Sequence, residues 1–255
     1  MMTKLRYQKP ELFGQRGYIT KGTEKAKGAL TPDLKEFWQS GQQVTDNDPI
    51  KTTYPENVYV TELPGFNTVT RQVYQQLEEA GKYLLRAIAV YLALPENYFD
   101  YCVHNGNSIL RAIHYFPLEN TDNLPTDAVR ASAHEDINLI TLLIGASADG
   151  LEILTREGEW LPVKANAEDI VVNVGDMLQR LTNNKLKSTT HRVVNPPLAL
   201  MQTSRYAVPF FLHPKVTTDL TCLASCIDDN NPKAYDDLTA GEYLDERLLE
   251  IGLKM

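Results

Sequence analysis

The sequence predicts a mainly β fold flanked by helices, and three observations predict it. From Ser108 onward the apolar period drops towards two, in segments 109–115, 137–144, 151–154, 160–163, 170–174, 178–181, 188–194 and 204–212. Between them stand Ala148-Asp149-Gly150, Arg156-Glu157-Gly158 and Thr182-Asn183-Asn184, whose Gly, Asp and Asn content suits tight turns. No helix-length segment separates these strands, which disfavours a parallel α/β sheet and leaves a sandwich, barrel or jelly roll. The chain has 255 residues, 43 % hydrophobic and 23 % charged, an ordinary globular composition that fits one domain over 1–255.

In chain order, residues 1–65 read as a wrapping segment of loops, with one short helix candidate at Pro32-Asp33-Leu34-Lys35-Glu36-Phe37-Trp38. Over 66–92, Val69, Val73, Leu77, Ala80, Leu84, Leu85, Ile88 and Tyr91 recur at close to helical spacing. With a short helical piece at 95–101, this makes 66–101 a helical support lying before the strands. The strand segments fill 108–213. Leu244, Leu248, Leu249 and Leu253 lie at helical offsets and predict a closing helix over 238–253.

Composition narrows the function classes. Twenty-five basic against 33 acidic residues give a net charge of −8, so no basic field collects the phosphates of a nucleic acid. The longest apolar run, 137–146, is interrupted by Asn138 and Thr141 and falls short of the roughly 20 residues of a membrane span. The first residues show no apolar signal region, and three cysteines (Cys102, Cys222, Cys226) make no paired framework. The expectation is a cytoplasmic protein with reduced thiols, monomeric or homodimeric, acting on a small molecule.

Two of the five histidines stand out. His134 lies two places before Asp136, so in a strand the imidazole and the carboxylate share one face while Glu135 points away. His191, in the β-branched run Ser188-Thr189-Thr190-His191-Arg192-Val193, can supply a third ligand from another strand. Two His and one carboxylate leave one face of an octahedral metal open, the arrangement of non-haem Fe(II) oxygenases. Spacing alone supports equally a hydrogen-bonded pair at a sheet edge. His104 and His213 read as surface or loop residues, His114 faces away from Tyr115, and Trp160 reads as core. Arg111 suits either a structural ion pair or a substrate contact, and Cys222 and Cys226 at i, i+4 make a weak metal signal.

Four blocks carry a family resemblance. His134-Glu135-Asp136-Ile137-Asn138-Leu139-Ile140-Thr141-Leu142-Leu143 resembles the first metal motif of the isopenicillin N synthase-like branch of the Fe(II)/2-oxoglutarate oxygenases. The stretch from Asn173-Val174-Gly175-Asp176 through His191-Arg192-Val193-Val194-Asn195-Pro196 resembles the second. Leu110-Arg111-Ala112-Ile113-His114-Tyr115-Phe116-Pro117 is similar to the preceding strand, and Ser204-Arg205-Tyr206-Ala207-Val208-Pro209 to the arginine strand. The resemblance implies a double-stranded β-helix, or jelly roll, with Fe(II) held by His134, Asp136 and His191. It further implies 2-oxoglutarate held by Arg205 and Tyr115, with O2 as oxidant, and hydroxylation, desaturation or cyclisation of a small molecule coupled to succinate formation. Arg205-Tyr206-Ala207 departs from the family's Arg-x-Ser, and Ile113 stands where plant relatives carry asparagine. One lost charge-assisted hydrogen bond corresponds to about 1.5–3 kcal/mol. The family's usual N-terminal segment is missing from the expected layout. Two alternatives stay open: an Fe(II) oxidase that uses no 2-oxoglutarate, and a non-catalytic jelly roll holding a metal.

Overall fold

The computed structural model describes residues 2–24, 31–118, 128–145, 149–166 and 168–250. Two antiparallel sheets make a jelly roll. The larger runs β1 (Gly17–Ile19), β2 (Lys35–Gly41), β3 (Ile109–Tyr115), β10 (Arg205–Leu212), β5 (Ile140–Ile144) and β8 (Ile170–Val174). The smaller runs β4 (Ala131–His134), β9 (His191–Val193), β6 (Leu151–Leu154) and β7 (Trp160–Pro162).

Alternation along paired strands sorts the side chains of the larger sheet. Tyr115 lies opposite Arg205 and Lys35, Ile113 opposite Ala207 and Phe37, and Arg111 opposite Gln39. These residues share the face turned to the smaller sheet. The other face presents Leu110, Phe210, Leu212 and Leu142 to a long helix.

The chain opens on α1 (Met2–Leu5), and that long helix is α2 (Phe66–Tyr91), matching the predicted segment to within one residue. It buries Tyr74, Leu77, Gly81, Leu85 and Ala89, with the Tyr74 ring edge-on to Phe210 at 5.0 Å. Val69 and Tyr91, predicted on the apolar stripe, are instead exposed, because the buried line of the helix runs through Tyr74, Leu77, Gly81, Leu85 and Ala89 and neither residue lies on it. The predicted piece at 95–101 forms as turns leading into α3 (Asp100–Val103), and the closing helix is α5 (Ala240–Glu250), Leu253 lying outside the described residues.

Two expectations are corrected. The segment 32–38 is not a helix: 35–41 is β2, covered on both sides, with Tyr7 and Phe66 edge-on to Trp38 on one face and the inter-sheet space on the other. Asp33 forms an ion pair with Lys35 at 2.8 Å and accepts from the Ser132 amide and hydroxyl. These long-range partners override the local signal of Pro32-Asp33. The segment 178–181 is not a strand: it belongs to α4 (Asp176–Leu181), where Met177, Leu178 and Leu181 are buried. So short an apolar run has no period to separate helix from strand. After it, Asn183 and Asn184 take left-handed conformations in the predicted turn. Gly158 does so in the turn at 156–158, while Ala148 of the third turn lies outside the described residues.

Gly175 connects β8 to α4 at a place where a side chain has no room. A Cβ there would meet the Asn138 carbonyl oxygen at 2.3 Å. The Gly175 and Asp176 amides donate to Leu139 and Asp136 carbonyls, holding the loop that carries Asp136. Gly175→Ala is therefore expected to destabilise the fold by about 2–3 kcal/mol, visible as a lowered denaturation midpoint. Among the described residues no helix is long and apolar enough to cross a membrane.

Candidate active site

His134 ends β4 and lies directly opposite His191 on β9, with ring centroids 4.4 Å apart. The strand stops there, so Asp136 does not reach the site by strand alternation as the spacing suggested. It stands in the loop after β4, its carbonyl accepting from the Asp176 amide at 2.7 Å. The Asp136 Oδ1 atom lies 3.9 Å from His134 Nε2 and 3.8 Å from His191 Nε2. All three candidate ligand atoms fall within 4.8 Å of one another.

Every other polar atom of the three side chains is engaged. His134 Nδ1 is 2.7 Å from the Ser132 carbonyl and His191 Nδ1 3.0 Å from the Thr189 carbonyl. A nitrogen facing a carbonyl carries the proton, which leaves each Nε2 lone pair for a metal. Asp136 Oδ2 accepts from the Thr141 hydroxyl at 2.6 Å and the Asn173 amide at 2.9 Å, freeing Oδ1. Thr141 and Asn173 are opposite one another on β5 and β8, and Asn138 donates to Thr141 in turn. Burial and the neighbouring His191 push the His134 imidazole down to about 4, keeping it neutral. Burial works against ionised Asp136, but His191, His134 and the two hydrogen bonds hold its carboxyl below the usual range.

A cavity of about 90 Å³ runs from this cluster between the sheets to Arg205 and Tyr115. Arg205 is 1 % exposed, with its guanidinium 4.9 Å from the Tyr115 ring centroid. Burial lowers the Arg205 pKa, yet a guanidinium stays charged in any protein setting. Arg130 lies fully buried close enough for Arg205 to lower its pKa as well, after burial itself. Arg205 thus places a buried cation on the wall of this cavity.

Known proteins point the same way. A family model described as the 2OG-Fe(II) oxygenase superfamily matches residues 106–214. Proline hydroxylase buaE of Petromyces alliaceus is 36 % identical over 253 residues, spanning 94 % of this chain and 77 % of the relative. The chain belongs to the 2OG-Fe(II) oxygenase superfamily.

Solved structures of this superfamily share the architecture. A protein assigned to the 2OG-Fe(II) oxygenase family from Caulobacter crescentus is 43 % identical, with a TM-score of 0.87 over 98 % of this chain and 80 % of its own. A full-length Neurospora crassa protein, solved in complex with alpha-KG, is 29 % identical, with a TM-score of 0.80 over 97 % of this chain and 77 % of its own. As a 2OG-Fe(II) oxygenase, the protein uses Fe(II), 2-oxoglutarate and O2.

The two departures from the family pattern turn out to be one. Ala207 and Ile113 lie directly opposite each other on β10 and β3, both buried and both on the inter-sheet cavity. An apolar pair thus stands where the resemblance expected two polar side chains.

Sequence reasoning missed Thr141, Asn173 and Arg130. The signal for Thr141 was present, a polar residue breaking an apolar strand. It also misplaced His213, which is 8 % exposed and lines a second cavity rather than a surface loop. Cys222 and Cys226 are buried but share no helix, since only Ala224–Cys226 forms a 3-10 turn. Arg111 makes the structural ion pair, with Glu24 at 3.1 Å, stacks between Phe37 and Phe211 at 4.1 and 5.1 Å, and also lines both cavities. His104 is exposed, and His114 faces away from the cavity towards Glu36 and Ser204.

Burial pushes His213 down to about 4, below its unfolded value. The unfolded chain therefore binds more protons between pH 6.5 and 4, and the contribution of neutral His213 is full above that window and lost as pH falls through it. At most about 3 kcal/mol is at stake. Chemical denaturation at pH 7 and pH 4.5 should show this loss, and His213→Gln should lessen it, with buried His134 contributing the remainder in the same window.

Proposed function

We propose that His134, Asp136 and His191 are the Fe(II) ligands of this oxygenase and that Arg205 and Tyr115 hold 2-oxoglutarate, for the oxidation of a small molecule. The observation that carries the reading is the convergence of three ligand atoms within 4.8 Å, each on a side chain whose remaining polar atom is tied elsewhere. Two imidazole nitrogens and one carboxylate oxygen suit Fe(II) and leave coordination positions for other ligands. When bound, iron and 2-oxoglutarate supply O2 activation, coupling release of CO2 and succinate to oxidation of a substrate C–H bond.

The protein's own part is positioning. The Ser132 and Thr189 carbonyls fix both imidazole rings, and Thr141 with Asn173 fixes the carboxylate. Arg205 gives the co-substrate's distal carboxylate a charged planar fork, which lysine lacks. The apolar walls formed by Ile113, Leu143, Leu151, Val193 and Ala207 limit water around it.

Anaerobic titration of the protein with Fe(II) and then 2-oxoglutarate tests the reading. A visible metal-to-ligand charge-transfer band is expected, followed by succinate release on admission of O2 and substrate. Iron uptake with no band would sink the co-substrate assignment and leave the metal ligands standing. In the same assay Ala207→Ser should tighten 2-oxoglutarate binding at least about tenfold, since a hydroxyl is restored beside Arg205.

A further inference from the structure

On the outer face of the larger sheet, away from both cavities, neighbouring strands bring a carboxylate, an imidazole and a hydroxyl into line. Glu36 on β2 and Tyr206 on β10 lie directly opposite His114 on β3, one from either side. Ser204 stands two places before Tyr206, so alternation puts it on that same face, whereas Tyr115 and Arg205 line the inter-sheet cavity. His114 Nδ1 is 2.9 Å from Glu36 Oε1, and His114 Nε2 is 2.9 Å from the Ser204 hydroxyl.

The chemistry of the partners orders the protons along this line. Burial works against ionised Glu36, but hydrogen bonds from Lys4, Tyr18 and His114 hold its carboxyl below the usual carboxylate range. A carboxylate only accepts, so His114 Nδ1 carries a proton, and the neutral imidazole then turns its Nε2 lone pair to Ser204. The Ser204 hydroxyl thus donates to a nitrogen able to take its proton. A hydroxyl beside a base, with the base oriented by a third group, is the arrangement that makes a serine nucleophilic.

Aromatic neighbours hold the imidazole and leave the hydroxyl within reach of solvent. Tyr206 stacks on the ring at 4.9 Å and 12°, and Phe116 tilts against it at 4.8 Å. Ser204 is half-buried and the His114 side chain 23 % exposed, while Glu36 is buried. Tyr206 is 54 % exposed, an aromatic surface beside the imidazole on which a flat group can stack.

We propose that Ser204 is a nucleophilic serine that accepts acyl groups from activated aryl esters, with His114 as its base and Glu36 as the positioning residue that orients His114. Ser204 Oγ forms a bond to the ester carbonyl carbon while its proton passes to His114 Nε2. The bond between that carbon and the leaving oxygen breaks, and the imidazolium returns the proton to the leaving phenol. O-acyl-Ser204 and the free phenol are the products, with no change of oxidation state. The step needs neither iron nor 2-oxoglutarate, so it stands apart from the metal assignment.

The full-length protein is mixed with p-nitrophenyl acetate, release of p-nitrophenolate is followed, and acetylated peptides are mapped by mass spectrometry. Ser204 is expected to be acetylated at least about a hundredfold faster than in His114→Phe, the worth of a positioned base. That variant keeps a ring against Tyr206, and thermal melting followed by circular dichroism establishes that it folds; if it does not, His114→Gln takes its place with the same expected fall. Ser204→Ala should lose the fast release and the acetylated peptide together. Glu36→Gln should lower the rate at saturating ester by about tenfold or more and leave the half-saturating concentration unchanged, a split that loosened packing would not give. Acetylation of Ser204 no faster than of other serines, fast release that survives in Ser204→Ala or without the His114 base, or acetyl groups on lysines alone would overturn the proposal. An unaltered rate in Glu36→Gln would remove Glu36 from it.

Discussion

Replacing Asp136 with alanine is expected to lower iron affinity by more than about 100-fold and to abolish turnover. Even groups that only orient a ligand cost 10–100-fold in metal affinity when removed, and Asp136 is itself a proposed ligand. The effect is lopsided because Asp136 is the sole anion of the cluster. Without it, His134 and His191 face each other at a 4.4 Å ring separation with no charge to favour a cation between them. Metal content after dialysis against limiting Fe(II) reads the loss directly. Asn173→Ala, which removes one of two hydrogen bonds to Asp136 Oδ2, should fall between Asp136→Ala and the wild type. Wild-type iron content in Asp136→Ala would remove the carboxylate from the ligand set.

Arg205→Ala should leave iron uptake intact and weaken 2-oxoglutarate by about 3 kcal/mol or more, on the order of a hundredfold in Kd. The guanidinium stands at the far end of the inter-sheet cavity, and the apolar pair Ala207 and Ile113 beside it offers no substitute donor. Arg205→Lys should recover only part of the affinity, because an ammonium presents a point charge rather than two parallel N–H groups. The anaerobic charge-transfer titration separates the outcomes. A band that saturates at the wild-type concentration in Arg205→Ala would place the co-substrate elsewhere.

Much of the fold was legible locally. The helical stripe from Val73 to Ile88 and the period-two runs at 109–115, 151–154, 170–174 and 204–212 return as α2, β3, β6, β8 and β10 within about one residue. Where reading failed, a distant partner had decided. Lys35-Glu36-Phe37-Trp38 becomes strand because β1 and β3 pair with it on both sides. Leu178 and Leu181 become helix because Gly175 turns the chain beneath Asn138.

The candidate site divides in the same way. The residue types and spacing of His134, Asp136 and His191, the arginine at 205 and the polar break at Thr141 were all present in the sequence, because ligand chemistry resides in side chains and their order. Only the tertiary structure carries Asp136 into place from beyond the end of its strand, pairs Ala207 with Ile113, and sets His114 between Glu36 and Ser204. Those meetings depend on strand register, and a register is chosen by burying one whole face of a sheet against elements far away in the chain. No local window of the sequence contains that choice.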